Sequence, residues 1–80
     1  MEMNYPNPIM PNEGSQEFTV LTALKTDGSL TPLESWQRYG IYALSQRIGR
    51  LKHKYHWKIE GEIVPIAETK QKFKRYWLAA

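Results

Sequence analysis

Tyr42, Gln46, Arg47, Arg50 and Lys54 recur at helical spacing in one segment, and their side chains suit recognition of a polyanion better than bond breaking. A glutamine amide can donate and accept together at an adenine edge. An arginine can donate twice to guanine O6 and N7, and each such pair discriminates by about 1–3 kcal/mol. By this geometry Tyr42, Gln46 and Arg50 are candidates for base-edge or sugar contacts. Arg47 and Lys54 on the flank suit phosphate, as do Arg38 and Lys52 at the edges. Ala43 and Gly49 are small enough to let that face approach another surface closely. Solvated charges on an ordinary exposed helix face would have the same composition, so that reading stays open.

The charge distribution favours a polyanion. Residues 1–30 hold one cation, Lys25, against Glu2, Glu13, Glu17 and Asp27, a net of −3. Residues 31–80 hold ten cations against four acids, a net of +6. No acid lies between Glu34 and Glu60, a stretch that carries Arg38, Arg47, Arg50, Lys52, Lys54 and Lys58. A one-signed segment attracts phosphate backbones or anionic surfaces.

Other chemistry is thinly supported. His53 and His56 could share a metal only if one helix ran through both, and no Cys joins them. Glu60 and Glu62 fit a solvated hairpin better than an acid–base pair. No phosphate-cradling glycine loop, nucleophile motif or metal signature is present, so neither an enzyme nor a cofactor or metal is expected. Tyr42, Trp57 and Trp77 could stack on single-stranded bases, although so small a chain needs most of its aromatics for a core. Lys70, Lys72, Lys74 and Arg75 could offer phosphate contacts, but their alternation equally fits a solvated strand face.

The elements that must position these groups follow from caps and periodicity. Eighty residues without Cys make one domain held by packing alone. No apolar run approaches a membrane span, and residues 1–15 lack the pattern of a secretory signal. A soluble cytoplasmic protein, without membrane contact, is expected. Residues 1–14 are rich in Pro and Asn and read as a flexible N-terminal arm, leaving 15–80 as the folded domain. Ser15 is a plausible N-cap for a helix over about 16–26, with Phe18, Leu21 and Leu24 inward and Val20 widening the stripe. Thr31, Pro32 and Glu34 form a capping box with proline at the first helical position. They open a helix over about 32–38, with Leu33 and Trp36 expected inward. Gly40 breaks it, and a third helix is expected over about 41–54, with Ile41, Leu44, Ile48 and Leu51 buried. Two helices joined by a short glycine turn have the shape of a helix-turn-helix. Strands are expected over 56–60 and 72–78, with Ile63, Val64 and Ile66 in a short strand or a collapsed loop. The expected fold is α+β: three short helices followed by a β-hairpin wing.

From Phe18 to Leu78 the chain resembles small helix-turn-helix domain proteins of phages and prophages. The resemblance rests on Gly28, Leu30, Thr31, Pro32 and Glu34, then on Gly40, Ile41, Leu44, Arg47, Ile48 and Leu51, and finally on Ile59, Tyr76 and Leu78. The family usually has a glycine between the third helix and the first strand, where this chain has Lys54-Tyr55-His56-Trp57. Because the family pattern keeps Arg47 beside core positions, that residue could instead pair with Glu34 and hold the motif together. The resemblance implies a winged helix-turn-helix binding double-stranded DNA sequence-specifically, with the third helix in the major groove. A transcriptional regulator or a recombination or architectural factor would work this way, associated with the nucleoid when bound. One module of this size buries about 600–1,000 Å² on DNA, so a homodimer or cooperative assembly is a reasonable expectation. The alternative is a protein-interaction module that uses the same fold to bind or inhibit a host protein.

Overall fold

The computed structural model describes residues 7–68 and 71–79. Lys70 and the first six residues of the expected arm lie outside them. The element order is α1 (Gln16–Asp27), α2 (Pro32–Tyr39), α3 (Leu44–His53), β1 (Ile59–Pro65) and β2 (Lys72–Leu78). Among the described residues no helix is long and apolar enough to cross a membrane.

α1 begins where its cap predicts, with the Ser15 hydroxyl accepting the Phe18 N–H at 3.1 Å. Its inward stripe differs from the expected one. Glu17, Val20, Leu21, Ala23 and Leu24 are buried, and Phe18 is only half-buried. Spacing of 17, 20–21 and 24 is as good a helical stripe as 18, 21 and 24, and the structure chooses the one that contains an acid.

α2 is opened by the complete capping box. Glu34 N–H donates to Thr31 Oγ1 at 3.2 Å, and Thr31 N–H donates to Glu34 Oε1 at 3.0 Å. It ends at Gly40, whose φ of 66° is the left-handed cap that glycine adopts without strain. Leu33 and Trp36, expected inward, are instead exposed, at 62% and 45%. The inward position belongs to Ser35, which is fully buried. Its hydroxyl donates to the Ile41 carbonyl at 3.1 Å, and its own carbonyl accepts the Ile41 N–H at 3.1 Å. A small side chain wins there because the chain reverses directly over it, and the hydroxyl satisfies a carbonyl that the turn leaves unpaired. Trp36 stacks on Tyr42 instead, ring centroids 4.1 Å apart.

α3 is shorter than the expected 41–54. Ala43 takes a left-handed conformation, φ 53° and ψ 51°, so the helix cannot start before Leu44. Ile41 is buried from the turn rather than from the helix, while Leu44, Ile48 and Leu51 form the buried ridge. At the far end His56 has φ 62°. It thus lies in the left-handed region that glycine adopts without strain, and Trp57 N–H returns to the Leu51 carbonyl at 2.9 Å. That reversal occupies residues 55–58, so β1 starts at Ile59 rather than His56 and continues through Ile63 and Val64 to Pro65.

β1 and β2 pair antiparallel, Ile59 opposite Leu78 and Pro65 opposite Lys72. Leu30 adds a further rung: its N–H and carbonyl exchange hydrogen bonds with Tyr76, each 2.9 Å. The apolar core draws on α1, α3 and both strands, from Val20, Leu21 and Leu24 through Leu30, Ile41 and the α3 ridge to Ile59 and Tyr76. The described end of the expected arm is tied to this body. Ile9 N–H donates to the Tyr55 carbonyl, and Trp57 Nε1 donates to the Ile9 carbonyl, both at 2.8 Å. Lys25 Nζ covers the Trp57 ring at 4.7 Å.

Candidate nucleic-acid interface

With the Leu44–Ile48–Leu51 ridge inside, a helix of about 100° per residue turns Ser45, Gln46, Gly49, Arg50, Lys52 and His53 away from the core. Gln46, Arg50, Lys52 and His53 are exposed, and this face carries no acid. Among the described residues neither the hairpin nor the arm covers it. Lys54, the C-cap, is exposed beside it, with its Nζ 5.5 Å from the Tyr55 ring centre. α3 begins with no side-chain cap.

Two members of the expected face are not on α3. Tyr42 and Ala43 belong to the turn that precedes it, Tyr42 exposed and stacked on Trp36. They lie at the entry of the helix, where the left-handed Ala43 sets its direction.

The arginines divide into two kinds. Arg47 does not pair with Glu34; Glu34 pairs with Arg38 of its own helix, Nη2 to Oε2 at 3.5 Å. Arg47 reaches across to α1, its Nη1 donating to Glu17 Oε2 at 2.7 Å. That link fixes α3 against α1, and Arg47 Nε is buried without a partner. Arg50 approaches the same oxygen through Nε at 3.0 Å, with half its side chain exposed. Burial pushes the Glu17 carboxyl up. The Arg47 hydrogen bond, its own backbone N–H and the charges of Arg47 and Arg50 outweigh that and hold it below its ordinary value of 4.5. Arg38 is exposed and shared between Glu34 and Asp27, the latter contact at 3.4 Å; such exposed pairs hold weakly.

Sequence reasoning passed over Glu17, the residue that organises this arrangement. Its position in the apolar stripe of α1 was the available signal, since an acid buried at helical spacing with leucines requires a cation from another element. The wing contributes a balanced pair, Glu62 with Arg75 across the strands. Lys72 and Lys74 share a face of β2, and Lys74 Nζ lies 5.4 Å from the Tyr76 ring centre. Among the described residues no group of three His, Cys, Asp or Glu could hold a metal.

A capped helix, a glycine-led turn, a second helix with an outward cationic face and a hairpin beside it define a winged helix-turn-helix protein. A family model for the winged helix-turn-helix domain matches residues 15–80, and the chain belongs to that family. Membership suggests DNA binding in general. No curated protein and no solved structure matches the chain.

Proposed function

We propose that this protein binds double-stranded DNA sequence-specifically by laying α3 in the major groove. In this reading it is a phage- or prophage-type transcriptional regulator, or a recombination or architectural factor, acting in the cytoplasm on the nucleoid. The observation that carries the reading is the acid-free face of Gln46, Arg50 and His53, exposed around a half-buried Gly49 and opposite a wholly aliphatic ridge. Gln46 and Arg50 read base edges, and Tyr42 and Ala43 approach the backbone or sugars at the helix entry. Lys52, Lys54 and Arg38 meet phosphates. Arg47, placed among the phosphate contacts by sequence, becomes a brace. The action is binding without catalysis or cofactor, and two copies on repeated or palindromic half-sites supply the specificity one small module lacks.

The test is selection from a random duplex pool followed by titration over a range of salt. Gln46→Ala is expected to change base preference more than affinity. Lys54→Ala is expected to weaken all sequences alike and to reduce the salt slope by about one. If the pool yields no preferred sequence and affinity is flat with salt, the reading fails.

One observation favours a second reading, a module that binds a host protein. Leu33, Trp36 and Tyr42 are exposed, and Leu33 also lines a groove of about 410 Å³ with Ile66, Phe73, Thr31, Glu34 and Arg75. Exposed apolar clusters of this kind mark interaction sites. A shallow salt dependence unaffected by duplex DNA would support it.

A further inference from the structure

We infer that Gly49 is a specificity-determining residue of α3, and that the notch above it takes the C5 methyl group of a thymine in the major groove. This rests on the DNA-binding reading and names a base group which that reading leaves open.

Three observations carry it. First, the fold itself has no use for a glycine here. Gly49 lies in the middle of α3, and it is not among the glycines with positive φ, which are Gly14, Gly28 and Gly40. A Cβ built on it would meet nothing within 4 Å among the described residues, whereas one on Gly61 would meet Lys74 Cε at 2.9 Å. Alanine would therefore fit, and it would favour the helix, since only proline is worse than glycine in a helix interior. α3 carries that disadvantage although it also starts without a side-chain cap.

Second, Gly49 is the floor of a depression. Ser45 and Gln46 stand one turn before it and Lys52 and His53 one turn after, all four exposed, while Gly49 is half-buried between them. The outward face is lower at this point by the depth of a Cβ.

Third, the floor offers carbon and nothing polar. Inside an α-helix the N–H of residue 49 is donated to the carbonyl of residue 45, and its carbonyl accepts the N–H of residue 53. A polar group entering the notch would lose its water without gaining a partner, and an apolar one loses nothing. Along the major-groove edges of the base pairs the groups are donors and acceptors, apart from the thymine methyl. Gln46, one turn earlier on the same face, suits adenine and so brings this part of α3 to A·T pairs, which carry that methyl. The competing occupant is a deoxyribose of the backbone, also carbon-rich but indifferent to a methyl on any base.

The experiment uses the full chain, the duplex recovered by selection, and a set of duplexes in which each thymine in turn is replaced by uracil, which removes the methyl alone. Gly49→Ala should raise Tm by about 4–8 °C. It should nevertheless weaken binding of the selected duplex about five- to a hundredfold, as an overfilled contact does. At one thymine the change to uracil should have opposite signs in the two proteins. It should weaken wild type about fourfold, the effect of one buried carbon, and should strengthen Gly49→Ala. A Gly49→Ala chain that binds the selected duplex as wild type does shows the notch empty and overturns the inference. A lower Tm overturns it too, because the fold then needs the glycine. Weakened binding that no uracil relieves assigns the notch to the backbone and overturns the thymine contact. Each of these leaves DNA binding in place. A wild-type chain that prefers no duplex at all removes the DNA reading itself and this inference with it.

Discussion

Arg47 and Arg50 touch the same carboxylate oxygen, yet replacing each with alanine should give opposite phenotypes. Arg47→Ala removes a side chain that is 28% exposed and a hydrogen bond to a carboxylate that is 8% exposed. Stripping one partner from a fully buried pair costs about 3–5 kcal/mol. Two features lower that figure here. Arg50 remains beside Glu17, and the variant also relieves Arg47 Nε of its unpartnered burial, a burden of about 1–3 kcal/mol. The balance is a loss of about 2 kcal/mol. For a domain of this size that lowers Tm by about 8–16 °C. Arg50→Ala breaks a contact whose cation is half exposed, worth at most about 1 kcal/mol. Thermal and urea unfolding followed by circular dichroism at neutral pH measures both variants, and duplex titration measures binding. Arg47→Ala should unfold early but bind normally well below its Tm, whereas Arg50→Ala should be nearly as stable as wild type and bind poorly. Equal destabilisation by the two would refute the division of labour. So would a neutral Arg47→Ala, which would mean Glu17 is adequately held without it.

Two other perturbations probe the same frame. The Glu17 carboxyl is held below 4.5 in the fold, chiefly by Arg47 against the opposing effect of burial. Its contribution is therefore complete above that value and lost as pH falls through the folded one. Urea midpoints should drop more steeply below pH ~4.5 in wild type than in Glu17→Gln, and parallel profiles would contradict the assignment. Ala43 and His56 have φ of 53° and 62°, where an L-residue is strained by about 1–2 kcal/mol. Replacing either with glycine should raise stability by about 0.5–1 kcal/mol after the added chain entropy is counted, and at His56, outside the proposed contacts, without altering duplex affinity. A loss of stability would show that the side chain at that position contributes packing.

Local rules located most of the frame and failed where tertiary contacts overrode them. Ser15, the Thr31–Glu34 capping box, Gly40 and the Leu44–Ile48–Leu51 ridge were legible because caps and helical periods involve residues within four positions of one another. α2 was misread on its inward face. A helix of eight residues offers only two turns of pattern, and size and apolarity point to Leu33 and Trp36 as core where Ser35 is the buried residue. The left-handed Ala43 and His56 were invisible because nothing in their side chains demands that conformation; the packing of α3 imposes it from both ends. Glu17 illustrates the remaining kind of failure. Its partners lie thirty or more positions away, and no local spacing names them.

The acids of the first third of the chain, which as sequence form a separate negative segment, take on a different meaning once α1 is packed. Glu17 near the start of α1 takes Arg47 and Arg50 of α3. Asp27 at its end takes Tyr39, at 2.9 Å, and Arg38, both from α2. The Tyr39 hydroxyl is pushed above its ordinary value mainly by that hydrogen bond. α1 is thus a brace that grips both helices of the motif through its two carboxylates, one at each end. An acidic surface built on Glu17 and Asp27 would need those two carboxylates free, and both are engaged by residues of α2 and α3. The cations left without an ion pair among the described residues include Lys52 and Lys54 at the end of α3, Lys58 beyond it, and Lys72 and Lys74 on the wing. Internal pairing therefore engages Glu17 and Asp27 with cations of the motif and leaves lysines without an acid partner at the end of α3. A moderately basic chain obtains a one-signed binding surface in this way without an extreme net charge.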